Sequence, residues 1–321
     1  MRIVADSKIP FVQEALADVA EVHVLATGEI TPETVRNADA LLVRSETNVD
    51  AALLDGSRVK FVGTATIGVD HIDTDYLQRR GIGFASAPGC NANSVAEYVI
   101  AALLVLAERL GFSLEGKALG VVGVGNIGKI VVKYAHALGM CVLQNDPPLH
   151  RATGSLVFRP LDELMDADII TLHVPLTKTG PDRTFHLFDD VRLKKMKPSS
   201  ILLNTSRGAV VETEAVKAAL RSSHLKACVL DVWENEPGID AELLSLATLG
   251  TPHIAGYSFD GKVNGTAMIQ QALCQYFSLQ PAWSPATVSG SPIIARDGQD
   301  LLAVVRQCYD IEDDDRRLRE M

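Results

Sequence analysis

The residues of this chain that could do chemistry sit just after short apolar runs. Asn204-Thr205-Ser206-Arg207-Gly208 follows Ile201-Leu202-Leu203, and an arginine there can fork both oxygens of a carboxylate while Gly208 allows close approach. Asp231-Val232-Trp233-Glu234-Asn235-Glu236-Pro237 follows Cys228-Val229-Leu230 and offers two carboxylates, Glu234 and Glu236, which composition does not separate. Thr251-Pro252-His253-Ile254-Ala255-Gly256-Tyr257 follows a last short run. Imidazole titrates near neutrality, and a carboxylate on its second nitrogen would hold it oriented and charged. A cation for a carboxylate, a group that takes a proton and a partner that tunes that group are what dehydrogenation of a hydroxy acid requires. A turn arginine, a solvated acidic loop and a structural histidine are the plainer alternatives, and the other seven of the eight histidines get no functional reading from spacing.

The hydride acceptor is legible upstream. Leu119-Gly120-Val121-Val122 runs into Gly123-Val124-Gly125-Asn126-Ile127-Gly128, and a helical pattern follows over 129–138. In a dinucleotide fold the first glycine makes the strand-to-helix turn and the second lets the backbone approach a pyrophosphate. The third lets the helix pack on the strand with its N–H groups facing phosphate oxygens. A second apolar run, Met140 to Asn145, ends in Asp146, 18 residues past Gly128. A carboxylate there can take both hydroxyls of an adenosine ribose and repels a 2′-phosphate, which favours NAD over NADP.

The elements that must position these residues alternate. Strands are predicted at 2–5, 22–25, 40–44, 61–64 and 82–85, with helical patterns such as 12–20 and 32–37 between them. Repeated β-α-β implies parallel sheets covered on both faces. Ser94 with Glu97 reads as a capping box opening a long apolar helix that ends near 109–111 and connects two domains. Further strands at 118–122, 140–145, 167–174, 200–205, 227–232 and 248–251 complete a Rossmann domain. A helix over 260–277 reads as a return to the first domain; 281–290 is a linker by composition, and 301–308 is an apolar helix before an acidic, arginine-bearing end.

Composition narrows the function classes. Apolar residues at 47% and charged residues at 22% suit a globular chain, and 321 residues suit two domains. Thirty basic against forty acidic residues give a net charge of −10, which argues against a nucleic-acid or anionic-membrane partner. Five scattered cysteines without a CxxC pair read as reduced thiols, and no metal-ligand cluster appears. The N-terminus lacks a signal-peptide pattern and the longest apolar stretch, 99–107, is far short of a membrane span, so a cytoplasmic protein is expected.

Taken together, the order GxGxxG, an acid after the second strand, N-x-x-R-G, D-V-x-x-x-E-P and T-P-H-I-A-G resembles the D-2-hydroxyacid dehydrogenases over about residues 1–280. The resemblance implies a central Rossmann NAD-binding domain (94–257), a smaller flavodoxin-like α/β substrate domain from two segments (1–93 and 258–280) and a short C-terminal appendage (281–321). It implies that Arg207 binds the substrate carboxylate, that His253 is the acid/base and that Glu236 is its partner. Gly123, Gly125, Asn126, Ile127, Gly128, Asp146, Val174, Ser206, Asp231 and Gly256 would then contact NAD. The stretches 43–47, 63–71, 87–92, 145–148 and 253–258 resemble the branch that oxidises 4-phospho-D-erythronate, a step towards pyridoxal phosphate; Ser45, Thr66 and Tyr257 match its substrate contacts, and Arg44 is a candidate cation for the phosphate. Residues 301–319 resemble the start of a dimerisation domain, the chain then stopping at Met321. A homodimer is expected, with dimer stability and an exposed apolar helix as open liabilities. Sibling enzymes acting on D-3-phosphoglycerate, hydroxypyruvate or glyoxylate share the catalytic trio, and a non-catalytic NAD-sensing corepressor is the alternative from another class.

Overall fold

Strands that are buried on both faces need helices on both faces, and the central strands here are of that kind: Ala40–Val43, Phe61–Thr64, Ile169–Leu172 and Ser200–Asn204 are buried at every position. The computed structural model describes residues 1–285, 293 and 300–321. The chain divides into two compact units, one formed by Met1–Asn91 with 257–285 and the other by Ala92–Gly256 with 300–321.

The first unit runs β1 (Arg2–Asp6), α1 (Val12–Leu16), β2 (Glu21–Leu25), α2 (Pro32–Val35), β3 (Ala40–Val43), α3 (Ala51–Leu54), β4 (Phe61–Thr64), α4 (Thr74–Arg80) and β5 (Gly83–Ala85). All its strands are parallel, in the order β2-β1-β3-β4-β5. This is the flavodoxin-like order, whose topological switch point lies between β1 and β3. The predicted helix over 12–20 stops at Leu16, because the chain must turn over 17–20 to enter β2 beside Arg2.

The second unit contains α5 (Ala92–Leu110), β6 (Ala118–Val122), α6 (Gly128–Ala137), β7 (Cys141–Asn145), α7 (Pro147–Thr153), β8 (Ile169–Leu172), α8 (Asp190–Lys195), β9 (Ser200–Asn204), α9 (Thr213–Arg221), β10 (Leu225–Leu230), α10 (Ala241–Leu246) and β11 (Leu249–Gly250). The chain returns to the first unit as α11 (Phe259–Tyr276), and the second unit ends with α12 (Leu301–Cys308) and α13 (Ile311–Glu320). The parallel sheet runs β11-β10-β9-β8-β6-β7, and beyond β7 a single parallel bridge joins Gln144 to Phe158. Phe158 thus stands where the outer strand of the Rossmann order 3-2-1-4-5-6 belongs, reduced to one residue.

Three expectations change. The predicted capping box is absent: α5 begins at Ala92, so Ser94 lies inside its first turn, and Glu97 accepts instead from Asn93 Nδ2 at 2.5 Å. The predicted strand over 167–174 shortens to Ile169–Leu172, because Ala167 closes a turn onto Leu164 and the Asp168 side chain accepts from Ala118 N. The apolar helix of the C-terminal segment is packed rather than bare, although Leu301 at its start stays exposed. Leu302 and Ile311 belong to the same apolar core as α5, Leu318 packs in the opposite core, and the acidic end is helical because Asp310 caps it. Of the predicted linker, 286–290 lie outside the described residues.

Candidate functional site

The glycine loop leaves β6 at Gly123, whose φ of 87° is the left-handed conformation that glycine adopts freely. A Cβ on Gly128 would stand 2.0 Å from the Gly123 carbonyl oxygen, so this position tolerates only glycine if α6 is to start here. At Gly125 an added Cβ would meet nothing within 4 Å, which leaves the backbone open to a ligand. The residue before α6 is Ile127, whose side chain caps nothing; within the first turn Lys129 N already donates to Gly125 O at 3.2 Å and Ile130 N to Ile127 O at 2.9 Å, so an anion here would meet the N–H groups at the very start of the helix. Asn126 is exposed beside it and accepts from Lys129 Nζ at 3.3 Å. Asp146 follows β7, caps α7 through Leu149 N at 2.9 Å and accepts from Val124 N at 2.9 Å, which ties this carboxylate to the glycine loop. Val174, just past β8, lies against Gly123. These residues fit a dinucleotide: open backbone at the pyrophosphate, a helix N-terminus behind it and a carboxylate at the second strand.

The other predicted residues of this unit lie past the ends of β9, β10 and β11. The Asn204 side chain shapes the arginine loop: its Oδ1 accepts from Ser206 N and Oγ at 3.1 and 2.7 Å, and its Nδ2 donates to the Arg207 carbonyl at 2.9 Å. Ser206 is buried, and Arg207 Nη1 donates to the Ser206 carbonyl at 2.8 Å. Gly208 is required by close approach, since a Cβ would reach 1.9 Å from the Trp233 backbone.

Geometry separates the two carboxylates that composition could not. Glu236 Oε2 pairs with His253 Nδ1 at 2.7 Å, while its Oε1 accepts from Trp233 N at 2.8 Å. Glu234 pairs instead with His186 at 2.5 Å and accepts from Thr213 N. The hydrogen bond that Nδ1–H gives to Glu236 raises the His253 pKa above its ordinary value, against burial, and the Glu236 and Asp231 charges add to it while Arg207 opposes. Burial pushes Glu236 up, but the bonds from His253 and Trp233 N with the charges of His253 and Arg207 outweigh it, and the carboxyl lies below its usual range. His253 leaves Nε2 for a substrate. Nearby, burial drives His173 down to about 3, so its ring is neutral between Thr171 and Thr205.

His253 has a φ of 58°, an unusual value for a non-glycine residue, and its own N–H donates to the Asp231 carbonyl. The buried Asp231 carboxylate holds both flanks of that residue: it accepts from Thr251 Oγ1 at 2.6 Å, Ile254 N at 2.8 Å and Ala255 N at 3.0 Å. Gly256 follows at once, half-buried. Asn204, Thr251 and Trp233 were missed as positioning groups; only the asparagine at a strand end carried a local signal, the habit of short polar side chains of bonding their own backbone.

In the first unit, Arg44 and Ser45 follow β3, and Thr66 follows β4. Thr66 Oγ1 donates to Gly68 O at 2.8 Å and lies 2.7 Å from Thr64 Oγ1; Ser45 is exposed. Arg44 Nη1 is enclosed with no hydrogen-bond partner. Tyr257 is 66% exposed, and the Lys262 ammonium stands 3.4 Å from its ring centroid. The hydrogen bond and charge of Lys262, with Arg44 and Lys8 farther off, draw the Tyr257 phenol below its ordinary value. Lys262 was not singled out in the sequence.

Residues 104–255 match the family described as D-isomer specific 2-hydroxyacid dehydrogenase, NAD binding domain. The chain is 48% identical to erythronate-4-phosphate dehydrogenase of Salinibacter ruber, over all of this chain and 86% of the relative. It is 47% identical to that of Bacteroides fragilis, over 87% of this chain and 81% of the relative. Among solved structures it resembles NAD-bound 3-phosphoglycerate dehydrogenase of Entamoeba histolytica, with TM-score 0.74 and 25% identity over 87% of this chain and 95% of that one. It also resembles D-lactate dehydrogenase of Aquifex aeolicus with NAD and lactic acid, with TM-score 0.68 and 28% identity over 86% and 95%. With its glycine loop, acid and His–Glu pair in the matched order, the chain belongs to the D-isomer-specific 2-hydroxyacid dehydrogenases, oxidoreductases built on an NAD-binding domain.

Proposed function

We propose that this enzyme oxidises 4-phospho-D-erythronate at C2 to (R)-3-hydroxy-2-oxo-4-phosphobutanoate, within pyridoxal 5′-phosphate biosynthesis, as a cytoplasmic homodimer. The observation that carries the chemistry is the 2.7 Å His253–Glu236 pair, and the near-half identity to erythronate-4-phosphate dehydrogenases carries the substrate. NAD, when bound, supplies the hydride acceptor. Neutral His253 takes the C2 hydroxyl proton on Nε2, and Glu236 stabilises the imidazolium that results. Arg207 holds the substrate carboxylate and polarises the developing carbonyl. Gly123, Gly125, Asn126, Ile127 and Gly128 cradle the pyrophosphate, Asp146 takes the ribose, and Val174, Ser206, Asp231 and Gly256 line the nicotinamide side.

In this reading the first unit binds substrate through Ser45, Thr66 and Tyr257, and the second binds NAD. The phosphate falls to Arg44 and Lys262. Among the described residues neither makes an ion pair, whereas Lys8 is neutralised by Glu46 at 2.6 Å. Two uncompensated cations suit a phosphate monoester of about −1.5 to −2 charge.

The test is NADH formation with 4-phospho-D-erythronate beside D-3-phosphoglycerate, with a 2-oxo acid acceptor present in case the cofactor stays bound. Selective turnover of the first is expected. Turnover of the second alone would reassign the substrate, and NAD binding without turnover of either would return attention to a sensing role.

A further inference from the structure

The strand that delivers His253 is short and lies at the sheet's edge. β11 has two residues, with β10 on one side and, among the described residues, no strand on the other. Its free edge is taken up by the C-terminal segment. Asp315, on α13 and 8% exposed, accepts from Gly250 N at 2.7 Å. Arg319 holds that carboxylate through Nε at 3.0 and 3.1 Å and reaches Leu244 O and Ala247 O with its other nitrogens. Glu312 accepts from Arg109 of α5 and Arg306 of α12, and Arg109 also donates to Thr248 O at 3.1 Å.

One residue past Gly250, the same segment reaches Thr251 through an intermediary, Tyr98 of α5. Thr251 has a single hydroxyl hydrogen, which it donates to Asp231, so the buried Tyr98 hydroxyl donates to Thr251, at 2.6 Å. The Tyr309 ring, between α12 and α13, backs the Tyr98 ring with 6.1 Å between centroids. Trp233 Nε1 fixes the Thr251 carbonyl at 2.9 Å. Two residues later the chain takes up the left-handed conformation at His253, which persists only if its flanks are held.

We infer that α12–α13 is a strap that positions His253: Asp315 pins the free edge of β11, and Tyr98, backed by Tyr309, pins Thr251. This rests on the reading of His253 as the acid/base. Asp315 and Tyr98 are positioning residues that touch no substrate, and a displacement of the imidazole by an ångström is enough to cost about 100-fold in rate. The groups facing His253 are Glu236, Asp231 and Arg207, so loosening the strap changes its distance from all three.

The experiment uses the full chain with Tyr98→Phe, Asp315→Ala and Asp315→Asn. Tyr98→Phe and Asp315→Ala should lower kcat about tenfold or more while NAD affinity, by fluorescence titration, stays within about twofold. Asp315→Asn keeps an oxygen for Gly250 N and should recover most of the loss. The His253 imidazole, titrated by NMR, should fall in pKa in both damaging variants as its contact with Glu236 loosens. Normal kcat and an unmoved His253 titration in folded Asp315→Ala, whatever Tyr98→Phe does, would overturn the strap. So would parallel loss of kcat, NAD affinity and thermal stability in all three variants. Because the NMR titration needs no turnover, an inactive wild-type enzyme would count against the proposed substrate and leave the strap decided on its own readout.

Discussion

Both units place their candidate residues past the carboxyl ends of a parallel sheet, yet they prepare them differently. In the second unit nearly every such group is already engaged. Asn204 brackets Ser206 and Arg207, Glu236 uses one oxygen on Trp233 N and the other on His253, and Asp231 grips both flanks of His253. In the first unit, Ser45 is exposed, Arg44 Nη1 has no partner, and Lys262 rests on an exposed tyrosine ring. Chemistry demands groups fixed to within fractions of an ångström before substrate arrives, because reorganisation during the reaction adds to the barrier. Recognition of a charged ligand can leave its cations unpaired until the ligand supplies the counter-charge. The two sheets are alike; apart from Thr66, whose hydroxyl already bonds Gly68 O and Thr64, what differs is whether the hydrogen bonds close internally or wait.

The sharpest way to break this contrast is to remove a fixed group. His253→Ala or Arg207→Ala should lower kcat by about 10³-fold, the range for losing a positioned acid/base or a preorganised cation, with NAD affinity nearly intact. Residual turnover within tenfold of wild type in either variant would mean that the engaged loops are scaffold and that the chemistry lies elsewhere.

Removing a waiting group should act on binding instead. Arg44→Met and Lys262→Met should each raise KM for the phosphorylated substrate by about 10- to 100-fold, the loss of a charge-assisted bond of about 1.5–3 kcal/mol, with kcat little changed. Non-phosphorylated D-erythronate should be indifferent to both substitutions. If it is impaired equally, the two cations do not serve the phosphate.

Within the fixed set, Glu236 tunes His253. The imidazole pKa lies above 6.5, so neutral base accumulates as pH rises, and kcat/KM for oxidation should climb through a midpoint above 6.5. Glu236→Gln removes the negative charge that favours the imidazolium and weakens the bond that raises it; the Asp231 charge, which raises it, now stands alone against burial and Arg207, so the midpoint should move down even as the maximal rate falls. An unmoved acid limb would separate the limb from His253. The pair also carries a stability signature: the histidine's share is present below 6.5 and lost as pH rises through its raised value, whereas the glutamate's is present above 4.5 and lost as pH falls through its lowered one.

What the sequence made legible was local. Apolar runs gave the strands within a few residues, GxGxxG gave the loop, and Arg207 and His253 stood out because each follows a run, whereas Glu236 was separated from Glu234 only by the family resemblance. What it hid was long-range. Tyr98 reads as one more core aromatic of an apolar helix until it meets Thr251, 153 residues away. Asp315 reads as one of a row of solvated acids until it meets Gly250, 65 residues away. Lys262 reads as helix surface, and only the turn before α11 sets it over Tyr257. The Ser94–Glu97 box failed for the converse reason: a correct local pattern lost to a helix start two residues earlier, at the unit boundary.

Asp146 tests the contrast at its smallest scale, because it belongs to both kinds. An ionised carboxylate offers about four lone-pair sites. Two are taken, by Val124 N and Leu149 N, which fix its orientation against the glycine loop and α7. In the proposed reading the remainder accept both ribose hydroxyls, while the charge opposes a 2′-phosphate. Asp146→Ser keeps a cap for α7 but removes the charge and the bidentate acceptor. NAD should bind more weakly and NADP less unfavourably, shifting the preference ratio by about tenfold, or 1.4 kcal/mol, with kcat on bound substrate close to wild type. A fall in kcat at saturating NAD would instead show that Asp146 matters through the loop it braces at Val124, and would move it wholly among the fixed groups.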